Sequence, residues 1–281
     1  MQMKSLIQKL NLPLRLMGIK QYASYNKETA NLVAVFESKG KDKTQFVFVP
    51  GMKNVMLGWD NKSCTLNEKI IAAMKESLEE EFKYDLQDWE ENEEYREKED
   101  MPPEKKTIEN WLEYVNSTTS PIRSVDIEPM IVQVVSTPAE KEYKSEIKPP
   151  FVIPTENEWE YLRGGGQRIF FPWGDFLEAE IISAIYGMSM SEGLQEHYAI
   201  DTDFLDKPNM FGLRFDLSTY TYELVNSECF VKGADGGCSV CGGDGAFYTI
   251  PILSNFYRPK HSGNEERISV NYYSYRKIIR I

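Results

Sequence analysis

The chain has 281 residues, of which 41% are apolar and 12% aromatic, so it can bury a hydrophobic core and wholesale disorder is excluded. Acidic residues outnumber basic ones by 44 to 32, which gives a net charge of −12 at pH 7. A broad basic surface for nucleic acid is therefore excluded, because phosphate groups would be repelled.

The first residues of the chain show no targeting segment. The apolar residues of MQMKSLIQKLNLPLRLMG are interrupted by charges and a proline, so the stretch lacks the apolar core of a signal peptide. The sequence also has no run of about 18 apolar residues, the length that spans a bilayer. We therefore expect a cytoplasmic protein without a membrane partner. Residues 31–38 and 44–50 are β-rich and joined by the polar turn KGKDK, which predicts a hairpin.

An acidic segment follows between residues 63 and 119. Residues 76–100 hold thirteen acids and three bases, so this stretch carries most of the net charge. Thr65 and Glu68 have the spacing of a capping box, and an apolar residue recurs every four positions behind them. These apolar residues are Leu66, Ile70, Met74, Leu78 and Phe82. We expect an amphipathic helix whose acids face water, followed by a shorter helix over 107–115.

The second half of the chain begins with an extended run and another capped helix. Residues 123–135 are β-rich, and Thr155 and Glu158 repeat the capping-box spacing just before Trp159. Beyond this helix the sequence is rich in glycine, aromatic residues and turn formers. That composition predicts short strands joined by long loops.

One stretch of this half is specific enough to indicate a family. Residues 154–175 read PTENEWEYLRGGGQRIFFPWGD and resemble the PTEAEWEYAARGG…YPWGD signature of the formylglycine-generating enzymes, also called sulfatase-modifying factors. Three weaker matches follow the family's order along the chain. They are FVFVPGMKNVMLGWD at 46–60, SPIRSVDIEPMIVQVVSTPA at 120–139 and NMFGLRFDLSTYTYELV at 209–225. On these motifs the chain is identified as a divergent member of the family.

The resemblance implies an α+β fold, an irregular C-type-lectin-like domain with little regular structure. It covers residues 46–62 and 120–281, so a domain over 46–281 is interrupted by an acidic helical insertion at 63–119. Residues 1–45 then form an N-terminal extension that contains the start of the β-hairpin. We expect the insertion to be peripheral. We also expect Trp159 and Trp173 to be buried, because aromatic residues anchor loop-rich cores.

The resemblance also points to a cysteine pair as the catalytic site. Enzymes of the family bind Cu(I) with two cysteines five residues apart and oxidise a substrate cysteine to formylglycine. Cys238 aligns with the first of these, but Cys241 follows only three residues later. Soft thiolates suit Cu(I), so this pair is the candidate catalytic and metal-binding site.

The same two cysteines form a C-x-x-C unit, which supplies half of a tetrahedral zinc site. Cys229 is a candidate third ligand, and His261 or Cys64 is a candidate fourth. A pair of unmetallated thiols, either reduced or redox-active, is the remaining alternative. The sequence therefore leaves copper, zinc and free thiols open at Cys238 and Cys241.

The family's calcium site is altered in this chain. Its GNVWEW motif aligns with residues 219–224, where Glu223 is kept but Tyr220 replaces the asparagine. A phenol is a poor ligand for a hard cation, so we expect a degraded calcium site with Glu223 as its remnant. A nearby acidic cluster is either a different calcium site or a set of solvated loop residues. Its members are Asp201, Asp203 and Asp206.

From these departures we predict a protein that has lost the parent oxidation and acts as a binding or scaffold protein through its lectin-type loops. We expect a protein or peptide ligand rather than a small molecule. Three tyrosines near the end either form part of a binding surface or pack the last strand. They are Tyr272, Tyr273 and Tyr275. The alternative function is a copper-dependent oxidoreductase that uses Cys238 and Cys241.

Overall fold

Groups of strands are separated by pairs of helices in the computed structural model, which has an α+β fold with mostly antiparallel sheets. It describes residues 11–24, 29–93, 96, 101–140, 143–177, 181, 207–242, 245–259 and 272–281. The strands are β1 (Leu14–Ala23), β2 (Ala30–Ser38), β3 (Gln45–Val49), β4 (Met52–Leu57), β5 (Arg123–Ile127), β6 (Met130–Gln133), β7 (Thr137–Pro138), β8 (Tyr222–Leu224), β9 (Val231–Lys232), β10 (Tyr273–Tyr275) and β11 (Ile278–Arg280). The helices are α1 (Glu68–Glu91), α2 (Ile108–Thr118), α3 (Tyr143–Glu146), α4 (Glu156–Arg163), α5 (Cys238–Cys241) and α6 (Gly245–Ile252).

A five-stranded sheet in the order β1-β2-β3-β6-β11 forms the framework of the fold. The predicted hairpin is confirmed, because β2 pairs antiparallel with β3 and Phe36 lies opposite Phe46. The sheet therefore continues across residue 45, and the N-terminal extension supplies two of its strands. Among the described residues β1 pairs only with β2, so β1 is an edge strand.

Short strands near the C-terminus form a second sheet in the order β7-β10-β8-β9. Its middle strand β10 holds two of the tyrosines that the sequence offered as a binding surface. Tyr273 and Tyr275 are buried in this sheet, whereas Tyr272 is 41% exposed. The packing interpretation is therefore correct for two of the three tyrosines.

Helix α4 confirms the second predicted capping box. The Thr155 hydroxyl accepts a hydrogen bond from the Glu158 backbone N–H at 3.2 Å, and the Glu158 carboxylate accepts one from the Thr155 N–H at 2.7 Å. Trp159, on the inner face of this helix, is fully buried, and Trp173 is buried in the neighbouring core. Both tryptophans are therefore core residues, as the sequence predicts.

The acidic segment 63–119 is not peripheral, and this expectation from the sequence is wrong. Its helices α1 and α2 pack against α6, and their buried residues share one hydrophobic cluster with Phe170, Phe171 and Trp173. The segment's members of that cluster are Cys64, Leu66, Ile70, Ala73, Met74, Leu78, Ile108, Trp111 and Val115. The physical reason lies in α6, whose sequence GAFYTIPI is apolar on every face and must be covered from several sides.

The starts of the two helices in this segment differ in how well the sequence predicts them. Helix α1 is capped by Asn67, whose side chain accepts a hydrogen bond from the Lys69 N–H at 2.9 Å, and the predicted cap Thr65 lies outside the helix. Helix α2 begins behind a capping box at Thr107, close to the predicted start, and continues to Thr118. Over the described ranges, no helix combines the length and apolar character needed to cross a membrane.

Candidate functional site

Cys238 and Cys241 lie on the one-turn helix α5, and both side chains are exposed. Asp235 holds this turn, because its carboxylate accepts hydrogen bonds from the backbone N–H groups of Gly237 and Ser239, each at 2.9 Å. The Ser239 hydroxyl donates to the same carboxylate at 2.6 Å. The two thiols are therefore presented to solvent by a turn that Asp235 fixes from inside.

Tyr220 covers this turn, a role that sequence reasoning missed. Gly237 has φ of 77°, and a Cβ atom there would lie 2.2 Å from the Tyr220 ring. The Tyr220 hydroxyl lies 3.2 Å from the Cys241 sulfur, and this hydrogen bond is the main reason why the pKa of Tyr220 is raised. The sequence comparison treated Tyr220 as a lost calcium ligand. The available signal was Gly237, since a glycine before a helix leaves room for a bulky neighbour.

The other two cysteines are buried. The Cys229 thiol donates to the Val231 carbonyl at 2.9 Å. Cys64 belongs to the main hydrophobic cluster, where the Arg168 guanidinium donates to its sulfur. Each sulfur is thus held within the fold and is not presented to solvent.

The surroundings of the exposed thiols bear on whether they can hold a metal ion. Within the residues that the structure describes, no three His, Cys, Asp or Glu side chains are grouped to hold a metal ion. Cys229 therefore does not complete a three-ligand site with Cys238 and Cys241. His261, a candidate fourth ligand, lies outside the described residues.

Glu223, the predicted remnant of a calcium site, is buried in an ion pair. Arg276 donates from Nε to one carboxylate oxygen at 2.7 Å and from Nη2 to the other at 3.2 Å. The Arg276 Nη1 donates to the carbonyls of Gln133 and Val134, each at 2.7 Å. Glu223 therefore holds the end of the chain against β6 and β8. The acidic cluster predicted near it, at 201–206, lies outside the described residues.

A buried lysine anchors the strand that leads to the cysteine turn. Lys232 on β9 is fully buried, and its Nζ lies 3.0 Å from Glu160 and 3.3 Å from Glu156, both on α4. Burial alone would raise the pKa of Glu156, but Lys232 and Arg258 outweigh it and lower the pKa to about 2. The pairing ties the small sheet to α4 and keeps the carboxylate ionised.

The fold contains a cleft of about 840 Å³, and the described residues that line it do not include those of the cysteine turn. Its volume falls in the range of ~300–1,000 Å³ that ligand sites occupy. Four parts of the chain wall it, namely the end of β1, the start of α1, the loop that follows α4 and the segment 207–217. Neither Cys238 nor Cys241 is among the described residues that line it.

The cleft lining combines aromatic surface with positive charge. Its aromatic members are Tyr22, Trp173, Phe176 and Phe215. Its cations are Lys69, Arg163 and Lys207, and Asp175 is the acid among the described lining residues. The Asp175 carboxylate already accepts a hydrogen bond from the Phe170 N–H at 2.5 Å. The described walls therefore carry net positive charge in a chain whose own net charge is −12.

Asn209 fixes the wall formed by 207–217. Its side-chain amide donates to the Leu162 carbonyl at 2.7 Å, and its oxygen accepts from the N–H groups of Phe211 and Leu213 at 3.0 and 3.2 Å. This segment also meets the N-terminal extension, since a Cβ atom on Gly212 would lie 2.6 Å from the Tyr22 ring. The cleft is thus built by contacts between segments that are distant in sequence.

Comparison with known proteins identifies no relative, since no protein-family model, no curated protein and no solved structure matches this chain. The resemblance to the formylglycine-generating enzymes stays a prediction from the motifs.

Proposed function

We propose that the chain is a cytoplasmic binding protein built on a C-type-lectin-like domain of the formylglycine-generating type, without the oxidation that this family performs. The observation that carries the proposal is the cleft of about 840 Å³, with its aromatic and cationic lining. Such a lining buries an apolar ligand body and orients it through a few polar groups. The cleft is therefore where the ligand binds.

The ligand that we propose is an extended peptide segment. The edge strand β1 ends in Gln21–Ser24, the residues that form one wall of the cleft. An edge strand offers unpaired main-chain groups to an extended peptide, while a pocket beside it selects a side chain. Exposed apolar surface lies along this edge, because Ile19 is 69% exposed and Leu32, opposite Gln21, is 76% exposed.

The position of the thiols supports the absence of oxidase activity. An oxidase must hold its metal thiolates rigidly against a groove that admits the substrate, because small misplacements cost large factors in rate. Cys238 and Cys241 do not line the described walls of the cleft, and the Tyr220 hydroxyl contacts Cys241.

The second candidate function is a copper-dependent oxidoreductase. One observation favours it, namely that both thiols of the C-x-x-C unit are exposed on a single helical turn. Two thiolates suit the low coordination number of Cu(I). This candidate requires a substrate groove other than the described cleft.

The proposal is tested by selecting binders from a displayed library of random peptides on the full chain. Ala23 is exposed and lines the cleft, so Ala23→Trp fills the cleft without removing a contact. Ala72 is exposed on α1 and is not among the described residues that line the cleft, and Ala72→Trp is the matched control. We expect the selected peptides to lose at least about tenfold in affinity with Ala23→Trp and to keep it with Ala72→Trp. Equal binding to both variants, or no enrichment of any peptide, would overturn the proposal.

A further inference from the structure

We infer that the cleft is a site for an anionic ligand, a carboxylate on an aromatic or apolar body, and that Arg163 is the residue that contacts the carboxylate. The inference rests on the proposed binding function and names the chemical class of ligand for the same cleft. Its basis is a buried cation that forms no ion pair within the described part of the protein and whose Nε has no hydrogen-bond partner.

Arg163 is the last residue of α4, is one of the residues that line the cleft and is only 1% exposed. Its Nη2 donates to the Leu253 carbonyl at 3.2 Å, and its guanidinium lies 5.0 Å from the centre of the Trp159 ring. Its Nε has no hydrogen-bond partner, and no ion pair of Arg163 occurs among the described residues. The guanidinium is therefore held in place with donor capacity unused.

The other buried cations of the described chain each form an ion pair with a carboxylate. Lys232 pairs with two glutamates of α4, and Arg276 pairs with Glu223. These carboxylates compensate the loss of hydration that burial imposes on a charge. Arg163 is the exception, and an unpaired buried polar group in a folded protein requires an explanation.

Glu223 and Asp216 favour the charged form of Arg163 electrostatically, but neither forms an ion pair with it in the described structure. Both oxygens of Glu223 are taken by Arg276, and the exposed Asp216 accepts a hydrogen bond from the Ser218 N–H at 2.8 Å. Burial lowers the pKa of Arg163 to about 10, so its side chain still carries a full charge at neutral pH. A ligand carboxylate would supply both an ion-pair partner and an acceptor for the free Nε, in the bidentate geometry that guanidinium groups favour.

The rest of the lining fits the same ligand class. Lys69 and Lys207 add positive charge, and the aromatic side chains provide the surface for an apolar body. Two of the walls, the end of β1 and the start of α1, belong to the extension and to the acidic segment. These two walls lie outside the motifs shared with the formylglycine-generating enzymes, whereas the loop after α4 and the segment 207–217 overlap them.

The test compares acids with their neutral amides, so that charge changes while shape is kept. Calorimetric titration of the full chain uses phenylacetate against phenylacetamide, and acetyl-Gly-Gly-Phe against its C-terminal amide. Tighter binding of phenylacetate indicates that the carboxylate comes from a small molecule. Tighter binding of acetyl-Gly-Gly-Phe indicates that it comes from a peptide. We expect acids to bind at least about tenfold more tightly than amides, because hydrogen bonds to charged partners are the stronger ones.

Substitutions show which residues cause the preference for acids over amides. Arg163→Met should reduce the acid-to-amide ratio to about one, while Arg163→Lys should keep part of it because the charge remains. Lys69→Ala should weaken acid binding by about twofold, as expected for an exposed charge. Lys83→Ala, an exposed site farther along α1 and outside the cleft lining, is the matched control and should have no effect. If Arg163→Met does not fold, Arg163→Lys decides, because its acid-to-amide ratio should fall below that of the unmodified protein and an unchanged ratio would overturn the role of Arg163.

The outcomes separate this inference from the proposed function. Any one of three results overturns the anionic site. The acids and amides bind with equal affinity, none of the four probes binds, or the preference for acids persists in Arg163→Met. In each of these cases the peptide selection with Ala23→Trp still tests the binding function by itself. If phenylacetate binds with the expected preference while the peptide selection fails, the anionic site stands and the peptide-binding function is overturned.

Discussion

The carboxylate of Glu81 on α1 accepts a hydrogen bond from the backbone N–H of Ala246 at 2.5 Å, in the first turn of α6. Gly245 makes the approach possible, because a Cβ atom there would lie 2.6 Å from the carboxylate. An acid from the run that the sequence assigns to solvent thus satisfies a free N–H group at the start of a buried helix. The acidic segment and the C-terminal part are joined by this contact as well as by their shared core.

Removing this contact should cost stability. Glu81→Ala is expected to lower the free energy of unfolding by about 1 kcal/mol, the usual value for losing a helix cap. Urea unfolding at pH 7 measures the loss. The neighbouring Glu80 is exposed, and Glu80→Ala should change stability by less than about 0.5 kcal/mol. Equal effects of the two substitutions would show that the hydrogen bond contributes nothing.

Trp111 tests whether the acidic segment belongs to the core. Its side chain is fully buried in the cluster shared with Trp173, so Trp111→Ala should lower the unfolding free energy by about 3–5 kcal/mol or prevent folding. Tyr84, which is 73% exposed on α1, serves as the control, and Tyr84→Ala should have little effect. A loss below about 1 kcal/mol for Trp111→Ala would show that the acidic segment is peripheral to the core.

Glu156 should make the protein less stable in acid. Its pKa is about 2 in the folded state against an ordinary 4.5, so the unfolded chain takes up a proton first as pH falls. Its stabilising contribution is therefore complete above about pH 4.5 and is lost as the pH falls toward 2. Glu156→Gln should flatten the dependence of the urea midpoint on pH in that window. Glu113→Gln, at an exposed position, should leave the slope unchanged, and a Glu156→Gln slope equal to that of the unmodified protein would contradict the ion pair.

The four cysteines should divide into two reactive and two protected thiols. Cys238 and Cys241 are exposed, whereas Cys64 and Cys229 are buried. Titration of freshly reduced protein with Ellman's reagent should therefore show two rapid equivalents, and two more only after urea unfolding. Both rapid equivalents should be absent in a Cys238→Ala, Cys241→Ala double variant. Four rapid equivalents in the native protein would contradict the burial of Cys64 and Cys229.

The cysteine turn should not generate formylglycine. We expect no aldehyde product by mass spectrometry when a cysteine-containing sulfatase peptide is supplied with Cu(I) and oxygen. The reason is that neither Cys238 nor Cys241 lines the described cleft. Turnover that is lost with either Cys238→Ala or Cys241→Ala would favour the oxidoreductase function over the binding function.

Local features of the fold could be read from the sequence, because their signals lie within a few residues. The hairpin of β2 and β3 and the capping box of Thr155 and Glu158 are of this kind. The cap of α1 was misplaced at Thr65, since Asn67 competes two residues later and a side chain's hydrogen bond is not visible in spacing. The burial of the acidic segment was missed because its partner, α6, lies far along the chain.

In the candidate site, too, local features could be predicted from the sequence and features that join distant segments could not. Cys238 and Cys241 were found by motif, but the cleft has walls from four separate segments, and no single motif marks such a place. Arg163 appeared in the sequence only as part of the family turn LRGGG. What distinguishes it is the lack of a carboxylate partner in the described structure, and that depends on where the acids fall after folding.

The pairing of Arg276 with Glu223, and of β11 with β6, has a consequence for how the chain is made. As the nascent chain leaves the ribosome, β6 emerges with one edge open and Glu223 emerges without its arginine. Neither deficit is repaired until residues 276–280 have cleared the exit tunnel. The five-stranded sheet therefore cannot be completed before those residues are translated, and until then one edge of β6 stays unpaired.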